Sequence, residues 1–337
     1  MRKSRKQEHI ENYLLTSYKN ESLFDNVYID HCALSNKNLD DINTSIEVFG
    51  KEISFPFMIN AMTGGSEFAE EINENLAKIA GEVNIPMAVG SQKIALDDEE
   101  ADKSFKLVRE RNKDGLIFAN LSALASLEEC RKAISMIDAD GIQLHLNLAQ
   151  ELVMAEGDRN FKGLSENIKN IVEKIDKPVI VKEVGTGLSG KVAKSLYDLG
   201  VRNIDLAGKG GTNFIEIEDL RNQEKDFSEF YNWGVPTALS LLEVKDLKKD
   251  DLFVISSGGI KTSSEILKSL VLGADLCAGS GEIINYLLRG GFDLALSYVK
   301  DLKEKLKIYM ALLDVDKVSD LKNVDYKIYG QLKDLYK

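Results

Sequence analysis

The chain reads Phe-Val-Ile-Ser-Ser-Gly-Gly-Ile at residues 253–260 and Ala-Asp-Leu-Cys-Ala-Gly-Ser-Gly at residues 274–281. Each stretch is a short apolar run that ends in small or polar residues, which is typical of a buried parallel strand. Six earlier runs have the same form, at residues 57–61, 86–90, 116–120, 142–147, 178–182 and 203–206. Segments with helical spacing separate the runs, as in β-α-β units. Eight such strands predict an α/β fold, a single (β/α)8 TIM barrel.

We expect this barrel to be one domain, with its parts in chain order. The predicted parts are an N-terminal arm and approach to the barrel at 1–50, the barrel at 51–290 and C-terminal helices at 291–337. Two connections are longer than the others, at 148–163 after strand four and at 208–251 after strand six. Long loops at the active face of a barrel are often lids that exclude water, although insertions packed on the rim give the same pattern.

Composition restricts the setting and the partners. The three cysteines, Cys32, Cys130 and Cys277, match no zinc or redox spacing, which indicates a reducing, cytoplasmic location. The net charge of −12 argues against nucleic acid or an anionic membrane as a partner. No apolar stretch approaches the ~20 residues that span a bilayer. The basic start, Met-Arg-Lys-Ser-Arg-Lys, lacks the apolar segment of a signal peptide, and its position alone indicates a frayed, solvated terminus.

The carboxyl ends of the predicted strands carry groups that suit a flavin. Residues 61–65, Ala-Met-Thr-Gly-Gly, have small side chains and backbone N–H groups beside a helix start. Ser91 and Asn120 supply neutral hydrogen-bonding groups for a ring edge. Barrels of this kind bind phosphate on the loops after strands seven and eight, where this chain is rich in glycine. Thr212 lies in a third glycine-rich loop and would help to hold the phosphate tail.

Lys182 ends the fifth predicted strand, so its ammonium should point into the barrel mouth. A cation beside the N1/C2=O edge of a flavin stabilises the anionic reduced form. The same lysine would suit Schiff-base chemistry, or a structural ion pair with a carboxylate such as Glu183. Residues 185–190 then form G-x-G-x-x-G with Asp205 twenty residues on, the outline of a dinucleotide fingerprint. Four strand-helix units precede it, whereas the fingerprint normally opens its own sheet, which argues against that interpretation.

The fourth strand carries alternating polar residues. Period-two alternation places Gln143, His145 and Asn147 on one face, toward the barrel interior or mouth. Each would need a buried partner, so three in alternation favour a site over simple packing. Gln150 and Glu151 follow over the mouth, and Glu151 suits Mg²⁺, which takes a carboxylate together with substrate phosphate oxygens.

These segments resemble one family, the FMN-dependent type 2 isopentenyl-diphosphate delta-isomerases. The resemblance covers nearly the whole chain, from Arg5-Lys6-x-x-His9 to Ala278-Gly279. The matching motifs are MTGG at 62–65, VGSQ at 89–92, QLHLNxxQE at 143–151, EGDRxF at 156–161, VKEVG at 181–185, GxGGT at 208–212, WGxPT at 233–237 and SGGI at 257–260.

The resemblance implies site residues position by position. The implied FMN contacts are Ala61, Met62, Thr63, Ser91, Asn120, Lys182, Thr212, Gly258, Gly259, Ala278 and Gly279. The implied substrate contacts are Arg5, Lys6, His9, Lys93, His145, Asn147 and Gln150, and Glu151 would bind Mg²⁺. The basic terminus thereby becomes a binding arm. The family commonly has arginine where this chain has Lys93, and lysine keeps the charge but loses bidentate phosphate geometry.

The implied activity is the interconversion of isopentenyl and dimethylallyl diphosphate, a step of isoprenoid biosynthesis. A proton is added at one end of an allylic unit and removed at the other, with reduced FMN as the proton carrier and no net redox change. NADPH would serve only to reduce the flavin beforehand, and Gln150 would orient the substrate or relay a proton. The resemblance also implies a homo-oligomer, a tetramer or larger. Alternatives are an FMN-dependent oxidoreductase of hydroxy-acid type, a Schiff-base aldolase and a non-catalytic barrel.

Overall fold

The computed structural model describes residues 12–16, 21–222, 224–247 and 251–336. Eight parallel strands form a closed barrel, and each strand pairs with its neighbours in chain order. The barrel strands, numbered one to eight below, are Phe57–Ile59, Met87–Ala88, Ile117–Ser122, Gly141–Leu146, Val179–Glu183, Asn203–Asp205, Phe253–Ser257 and Leu276–Gly279. The predicted (β/α)8 barrel is confirmed, and every strand overlaps its predicted run.

Helices surround the barrel, and several of them present an apolar face to it. The helix Glu67–Val83, for example, buries Ile72, Leu76 and Ile79, which share one face at helical spacing. The other α-helices are Lys93–Asp97, Lys103–Arg111, Leu127–Met136, Leu148–Val153, Leu164–Lys174, Gly190–Asp198, Phe214–Arg221, Thr237–Lys245, Ser263–Val271, Gly281–Leu312 and Gly330–Leu335. Short 3-10 helices are Phe24–Asn26, Leu39–Asp41, Glu99–Asp102, Ser228–Phe230 and Val318–Asn323. Both long connections therefore contain helices.

A hairpin closes the amino-terminal end of the barrel. Its strands, Ile46–Val48 and Lys51–Ile53, pair antiparallel across a two-residue turn. The turn places the Phe49 ring against the rings of Phe118 and Phe253, with centroid distances of 5.7 and 5.0 Å. These three rings form what we term the aromatic floor. The polar ends of the strands lie at the opposite end, where the barrel is open.

A short strand from the first part of the chain pairs with one from the last part on the outside of the barrel. Val27–Ile29 pairs antiparallel with Tyr326–Ile328, a strand within the region where the sequence predicts only C-terminal helices. The pairing satisfies the backbone of both short strands and packs Val27 into the core, which a helix at 326–328 would not do. In the described part of the chain, no helix combines the length and apolarity that crossing a bilayer requires.

Candidate active site

A cavity of about 1710 Å³ opens at the carboxyl ends of the barrel strands. Pockets for one small ligand typically enclose about 300–1,000 Å³, so this cavity has room for two. Fifteen of the predicted site residues line it: Ala61, Met62, Ser91, Lys93, Asn120, His145, Asn147, Gln150, Glu151, Lys182, Thr212, Gly258, Gly259, Ala278 and Gly279. Arg5, Lys6 and His9 lie outside the described residues. The barrel thus brings together residues from the ends of all eight strands or from the loops that follow them.

Thr63 is the described candidate that does not line the cavity. Its side chain is only 2% exposed, and its carbonyl accepts the Gly90 N–H at 3.0 Å. Its hydroxyl oxygen is buried and has no hydrogen-bond partner within the part of the chain that the structure describes. A buried hydroxyl without a partner is costly, so this group is an orphaned donor beside the predicted flavin side of the cavity.

Lys182 is buried at the end of strand five between two acceptors. Its Nζ donates to the carbonyl oxygen of Glu183 at 2.6 Å and lies 3.9 Å from the Asp205 Oδ2 atom. Lys182 is 5% exposed and Asp205 is fully buried. The carboxylate that pairs with Lys182 is therefore Asp205 on strand six, and the pair with the Glu183 carboxylate considered from sequence is wrong. A buried charge requires such a partner.

The Glu183 carboxylate turns instead into the glycine-rich segment that follows it. One carboxylate oxygen, Oε2, accepts four successive backbone N–H groups, from Val184, Gly185, Thr186 and Gly187, at 2.6, 2.7, 2.5 and 3.0 Å. Burial raises the pKa of Glu183, and these hydrogen bonds oppose that rise. The Glu183 carboxylate thus occupies the N–H groups that a dinucleotide phosphate would need, which argues against a nucleotide site in the G-x-G-x-x-G segment.

A row of amide side chains crosses the barrel interior beneath the cavity. We term it the amide chain, and its hydrogen bonds run from Asp205 to Asn60 at 2.7 Å, to Gln143 at 3.0 Å, to Asn120 at 2.9 Å and to His145 at 3.0 Å. Gln143 and His145 both face inward, as the alternation on strand four predicts. Asn60 and Asp205 are additions that the sequence did not reveal, although both lie at or next to the polar end of a strand.

Gln150 contacts a buried acid that was not among the predicted residues. Its Nε2 donates to the Glu218 Oε1 atom at 2.8 Å, and Glu218 is 1% exposed. Glu218 also pairs with Arg221, whose second nitrogen binds the Glu156 Oε1 atom at 2.9 Å. The helix Phe214–Arg221, in the long connection after strand six, carries this acid. The sequence signal was the acid–arginine pair at i, i+3 directly after a glycine-rich loop.

Glu151 is held at the cavity wall by two donors. Asn147 Nδ2 donates to its Oε1 atom at 2.7 Å, and the backbone N–H of Asp158 donates to its Oε2 atom at 2.7 Å. A Cβ at Gly157 would come within 2.1 Å of the Glu151 carbonyl oxygen, so only glycine fits this close approach. Among the residues that the structure describes, no group of three or more His, Cys, Asp and Glu could hold a metal. A cation at Glu151 would therefore draw most of its ligands from substrate and water.

Lys93 reaches the cavity, but two carboxylates already compensate its charge. Its Nζ lies 2.6 Å from the Glu129 Oε1 atom and 3.5 Å from the Asp97 Oδ1 atom. The hydrogen bond from Lys93, followed by those from Ser126, lowers the pKa of Glu129 to about 2. Lys93 therefore has less net charge to offer a diphosphate than the sequence indicates.

We expect the Glu129 ion pair to stabilise the protein less as the solution becomes acidic. The folded pKa, about 2, lies below the ordinary 4.5, so the contribution is present above pH 4.5 and is lost as the pH falls toward 2. Thermal melts from about pH 6 to about pH 2 should show wild type above Glu129→Gln at the start and the two converging in acid. The neighbouring Glu128→Gln, at an exposed site, should track wild type throughout. A difference between wild type and Glu129→Gln that does not change with pH would contradict the assignment.

The described residues nearest the predicted arm already touch the cavity. Tyr13, Leu14 and Thr16 line it, and Asn12 Nδ2 donates to the Ile217 carbonyl at 3.3 Å. Burial, then the nearby Glu282 carboxylate, raises the pKa of Tyr13 to about 12. The chain thus enters the described structure at the rim of the cavity.

Comparisons with known proteins agree with this geometry. The family model for FMN-dependent dehydrogenase matches residues 10–144 and 150–327. The isopentenyl-diphosphate delta-isomerase of Staphylococcus haemolyticus is 40% identical over 321 residues, which cover 95% of this chain and 92% of that protein. This chain belongs to the isopentenyl-diphosphate delta-isomerase family. A second member of that family, from Listeria welshimeri, is 38% identical over 336 residues, 98% of this chain and 93% of its own.

Solved structures show how widely the barrel of this isomerase family is shared. A mandelate oxidase variant with a monooxide FMN adduct superposes with a TM-score of 0.66 at 16% identity, over 96% of this chain and 92% of that one. A flavocytochrome b2 variant with benzoylformate gives a TM-score of 0.69 at 15% identity, over 96% of this chain and 79% of that one. At such identities the likeness establishes the fold alone.

The residues of the cavity fit an FMN on observations of the structure itself. The buried Lys182 ammonium lines the wall, together with the neutral polar side chains of Ser91 and Asn120. Glycine-rich loops pack backbone against backbone, since a Cβ at Gly258 would lie 2.0 Å from the Gly208 carbonyl oxygen and one at Gly259 would lie 2.5 Å from that of Gly210. Closely packed backbone of this kind is typical of phosphate sites.

Proposed function

We propose that this protein interconverts isopentenyl and dimethylallyl diphosphate, with reduced FMN and Mg²⁺ and without net redox change. The observation that carries the proposal is the convergence, in one cavity, of a buried ammonium at Lys182 and the amide of Gln150, which Glu218 holds from behind the cavity wall. The cavity volume is sufficient for a cofactor and a diphosphate substrate together. Membership of the isomerase family supports the same activity.

The reaction makes specific demands on the site. An unactivated alkene is a poor base, so its protonation develops a tertiary carbocation that needs a dry, pre-organised and electron-rich surrounding. Bound reduced FMN would supply an electron-rich ring and a proton-carrying nitrogen, N5. Lys182 would compensate the negative charge of that ring, and Asp205 would hold the ammonium in place. The glycine loops that line the cavity would complete the cofactor contacts.

Gln150 and Glu218 would divide the work of handling the substrate. The amide of Gln150 is too weak an acid to deliver a proton to an alkene, so in that step it only orients the substrate. Because its Nε2 donates to Glu218, the amide is fixed and a carboxylate lies directly behind it, at 2.8 Å. Glu218 does not itself line the cavity, so we propose that it acts through this amide: the Gln150 oxygen would take a proton from the carbocation while Nε2 gives one to Glu218, and the reverse transfers would restore the amide.

The diphosphate would be bound at the rim. Glu151, oriented by Asn147, would ligate Mg²⁺ through one carboxylate oxygen, and diphosphate oxygens would supply further ligands. His145 and the basic arm, Arg5, Lys6 and His9, would neutralise the remaining charge. Remote binding energy of this kind positions the reacting alkene. We also propose NADPH as the source of flavin reduction, a homo-oligomer of four or more subunits, and a cytoplasmic location.

The proposed function is tested by turnover with the flavin reduced. Protein reconstituted with FMN, given Mg²⁺ and reduced anaerobically, should convert many equivalents of isopentenyl diphosphate while the visible spectrum of the flavin stays that of the reduced form. The oxidised holoenzyme should be inactive. Reconstitution with 5-deaza-FMN should abolish turnover, because that analogue lacks N5. Failure to bind flavin, or turnover that consumes flavin electrons stoichiometrically, would overturn the proposal.

An FMN-dependent oxidoreductase of hydroxy-acid type is the second candidate, favoured by the FMN-dependent dehydrogenase match. That chemistry needs an arginine to bind the substrate carboxylate beside the flavin. Arg221 and Arg289 both line the cavity, and Glu218 and Glu156 already bind Arg221. Reduction of oxidised enzyme by a 2-hydroxy acid would favour this candidate, and absence of reduction would eliminate it.

We expect Arg5 and Lys6 to bind substrate without contributing to flavin binding. Hydrogen bonds to charged groups contribute about 1.5–3 kcal/mol each, so Arg5→Ala/Lys6→Ala should raise KM by at least about tenfold. The Kd for FMN, followed by flavin fluorescence, should not change. Arg2→Ala/Lys3→Ala removes the same charge three residues earlier and should leave KM near wild type. Equal effects of the two double variants on KM would show that the arm attracts the substrate only through its overall charge, without specific contacts from Arg5 and Lys6.

A further inference from the structure

Two groups fix the direction of the first hydrogen bonds in the amide chain, because one of them can only donate and the other can only accept. A backbone N–H only donates, and that of Ala61 donates to the Asn60 Oδ1 atom at 2.9 Å. An ionised carboxylate only accepts, and Asp205 Oδ2 accepts from Asn60 Nδ2 at 2.7 Å. The Asn60 amide is therefore fixed from both ends, its oxygen toward Ala61 and its nitrogen toward Asp205.

This orientation determines every later contact. Gln143 lies 3.0 Å from Asn60 Oδ1, so it must present its NH₂ group there and its oxygen to the other side. That oxygen accepts from Asn120 Nδ2 at 2.9 Å, which leaves the Asn120 oxygen facing the next residue. The next atom is Nδ1 of His145, at 3.0 Å from Asn120 Oδ1. An acceptor at this point requires a proton on Nδ1.

We propose that the amide chain holds the neutral His145 ring in the Nδ1–H tautomer, so that Nε2 is the nitrogen that gains and loses a proton. Asn60, Gln143 and Asn120 are then positioning residues that act through His145. The selected tautomer is the minor one of free histidine in water, so its population is a property of this site. The partner of one ring nitrogen normally sets the state of the other.

The amide chain is buried, so its polar side chains lower the stability of the protein unless they are fully hydrogen-bonded. Asn60, Asn120 and Gln143 are 6%, 3% and 0% exposed. Burying an amide costs free energy unless both of its polar atoms find partners, and here each amide uses its oxygen and its nitrogen. Apolar side chains could fill the same interior without that cost. Three amides in a row have all their polar atoms paired, and each has only one possible orientation. We therefore infer that the orientation set at Asp205 and Ala61 is passed along the amide chain to His145.

The consequence for the cavity is that His145 can change its charge without rotation of its ring. Protonation at Nε2 leaves the Nδ1–H bond to Asn120 intact and adds a positive charge and a second N–H donor to a ring that lines the cavity. Such a group suits an anionic ligand. This last step rests on the proposed function, whereas the tautomer itself depends only on the contacts within the protein.

The tautomer can be read directly by NMR of protein labelled with ¹⁵N-histidine, in the flavin-free and the FMN-loaded states. The chain has only three histidines, so a spectrum of His145→Gln identifies the His145 ring. At alkaline pH, the wild-type His145 ring should show a protonated Nδ1 and an unprotonated Nε2. A predominantly Nε2–H ring, or an even mixture, would overturn the proposal. Because this result needs no turnover, it is independent of whether the isomerase activity is found.

Gln143→Met then tests the transmission. It removes the link between Asn60 and Asn120 at similar volume, so Asn120 is free to reorient and the His145 ring should shift to a mixture containing Nε2–H. Ser256→Ala, which loses an equally buried hydrogen bond to Ser269 at 2.9 Å outside the amide chain, should keep the pure Nδ1–H form. An unchanged tautomer in folded Gln143→Met would refute the role of the chain. Should Gln143→Met not fold, the wild-type spectrum alone still decides the tautomer.

Discussion

Replacing Lys182 with methionine should lower the free energy of unfolding by about 3–5 kcal/mol, the usual result of leaving one partner of a buried ion pair uncompensated. Asp205 would remain fully buried, with Asn60 and Ser257 as its hydrogen-bond donors and no cation nearby. Urea denaturation of the flavin-free protein measures the change without interference from cofactor binding. The holoprotein should lose flavin affinity as well, since the cavity loses its buried ammonium.

The double variant Lys182→Met/Asp205→Asn separates charge from packing. It removes both charges and keeps the hydrogen-bonding shape of residue 205, so it should recover most of the lost stability. A single variant as stable as the double one would show that the pair is not coupled across its 3.9 Å separation. The same lysine offers a check on aldolase chemistry, because an ammonium paired in this way should not be trapped by borohydride with carbonyl substrates.

Glu218→Gln should reduce kcat by about 10²–10⁴-fold, the range that a positioned acid or base contributes. Glutamine keeps the hydrogen-bonding reach toward Gln150 but cannot take up a proton, so KM should change little. Isomerisation of isopentenyl diphosphate by the reduced holoenzyme gives both parameters, and deuterium incorporation from D₂O reports the proton step separately.

Asp219→Asn is the matched control for Glu218→Gln. Asp219 is the next residue on the same helix, but its carboxylate binds the Tyr231 hydroxyl at 2.6 Å and the Phe227 N–H at 2.8 Å. These two hydrogen bonds lead away from Gln150, so kcat should stay near wild type. Wild-type turnover in Glu218→Gln would remove Glu218 from the chemistry and leave Gln150 with an orienting role only.

The sequence was sufficient for the barrel because strand patterns are local. Strands buried on both faces give short apolar runs, and their polar ends coincide with the open end of the barrel. The pairing of Lys182 with Asp205 could not be predicted from the sequence, because it is not a local property of either strand. It depends on the register of strands five and six, in which these two residues are direct partners. Glu183 was the nearer carboxylate in sequence, but neighbouring residues on a strand point to opposite faces.

Glu218 shows the same limit for a loop. It meets Gln150 across 68 residues of sequence, through a helix in the connection after strand six. Periodicity identifies that helix only weakly, because its apolar and acidic residues alternate rather than forming one stripe. Resemblance to a family located Gln150, and only the folded chain placed the acid behind it.

The aromatic floor of Phe49, Phe118 and Phe253 leaves one end of the barrel for the entry and exit of ligands. Because these rings seal the amino-terminal end, traffic through the described barrel must use the opposite end. A substrate that lies between the flavin and this opening, as the proposed function implies, would enter after the flavin and leave before it. A bound substrate would thereby lengthen the residence time of its own cofactor.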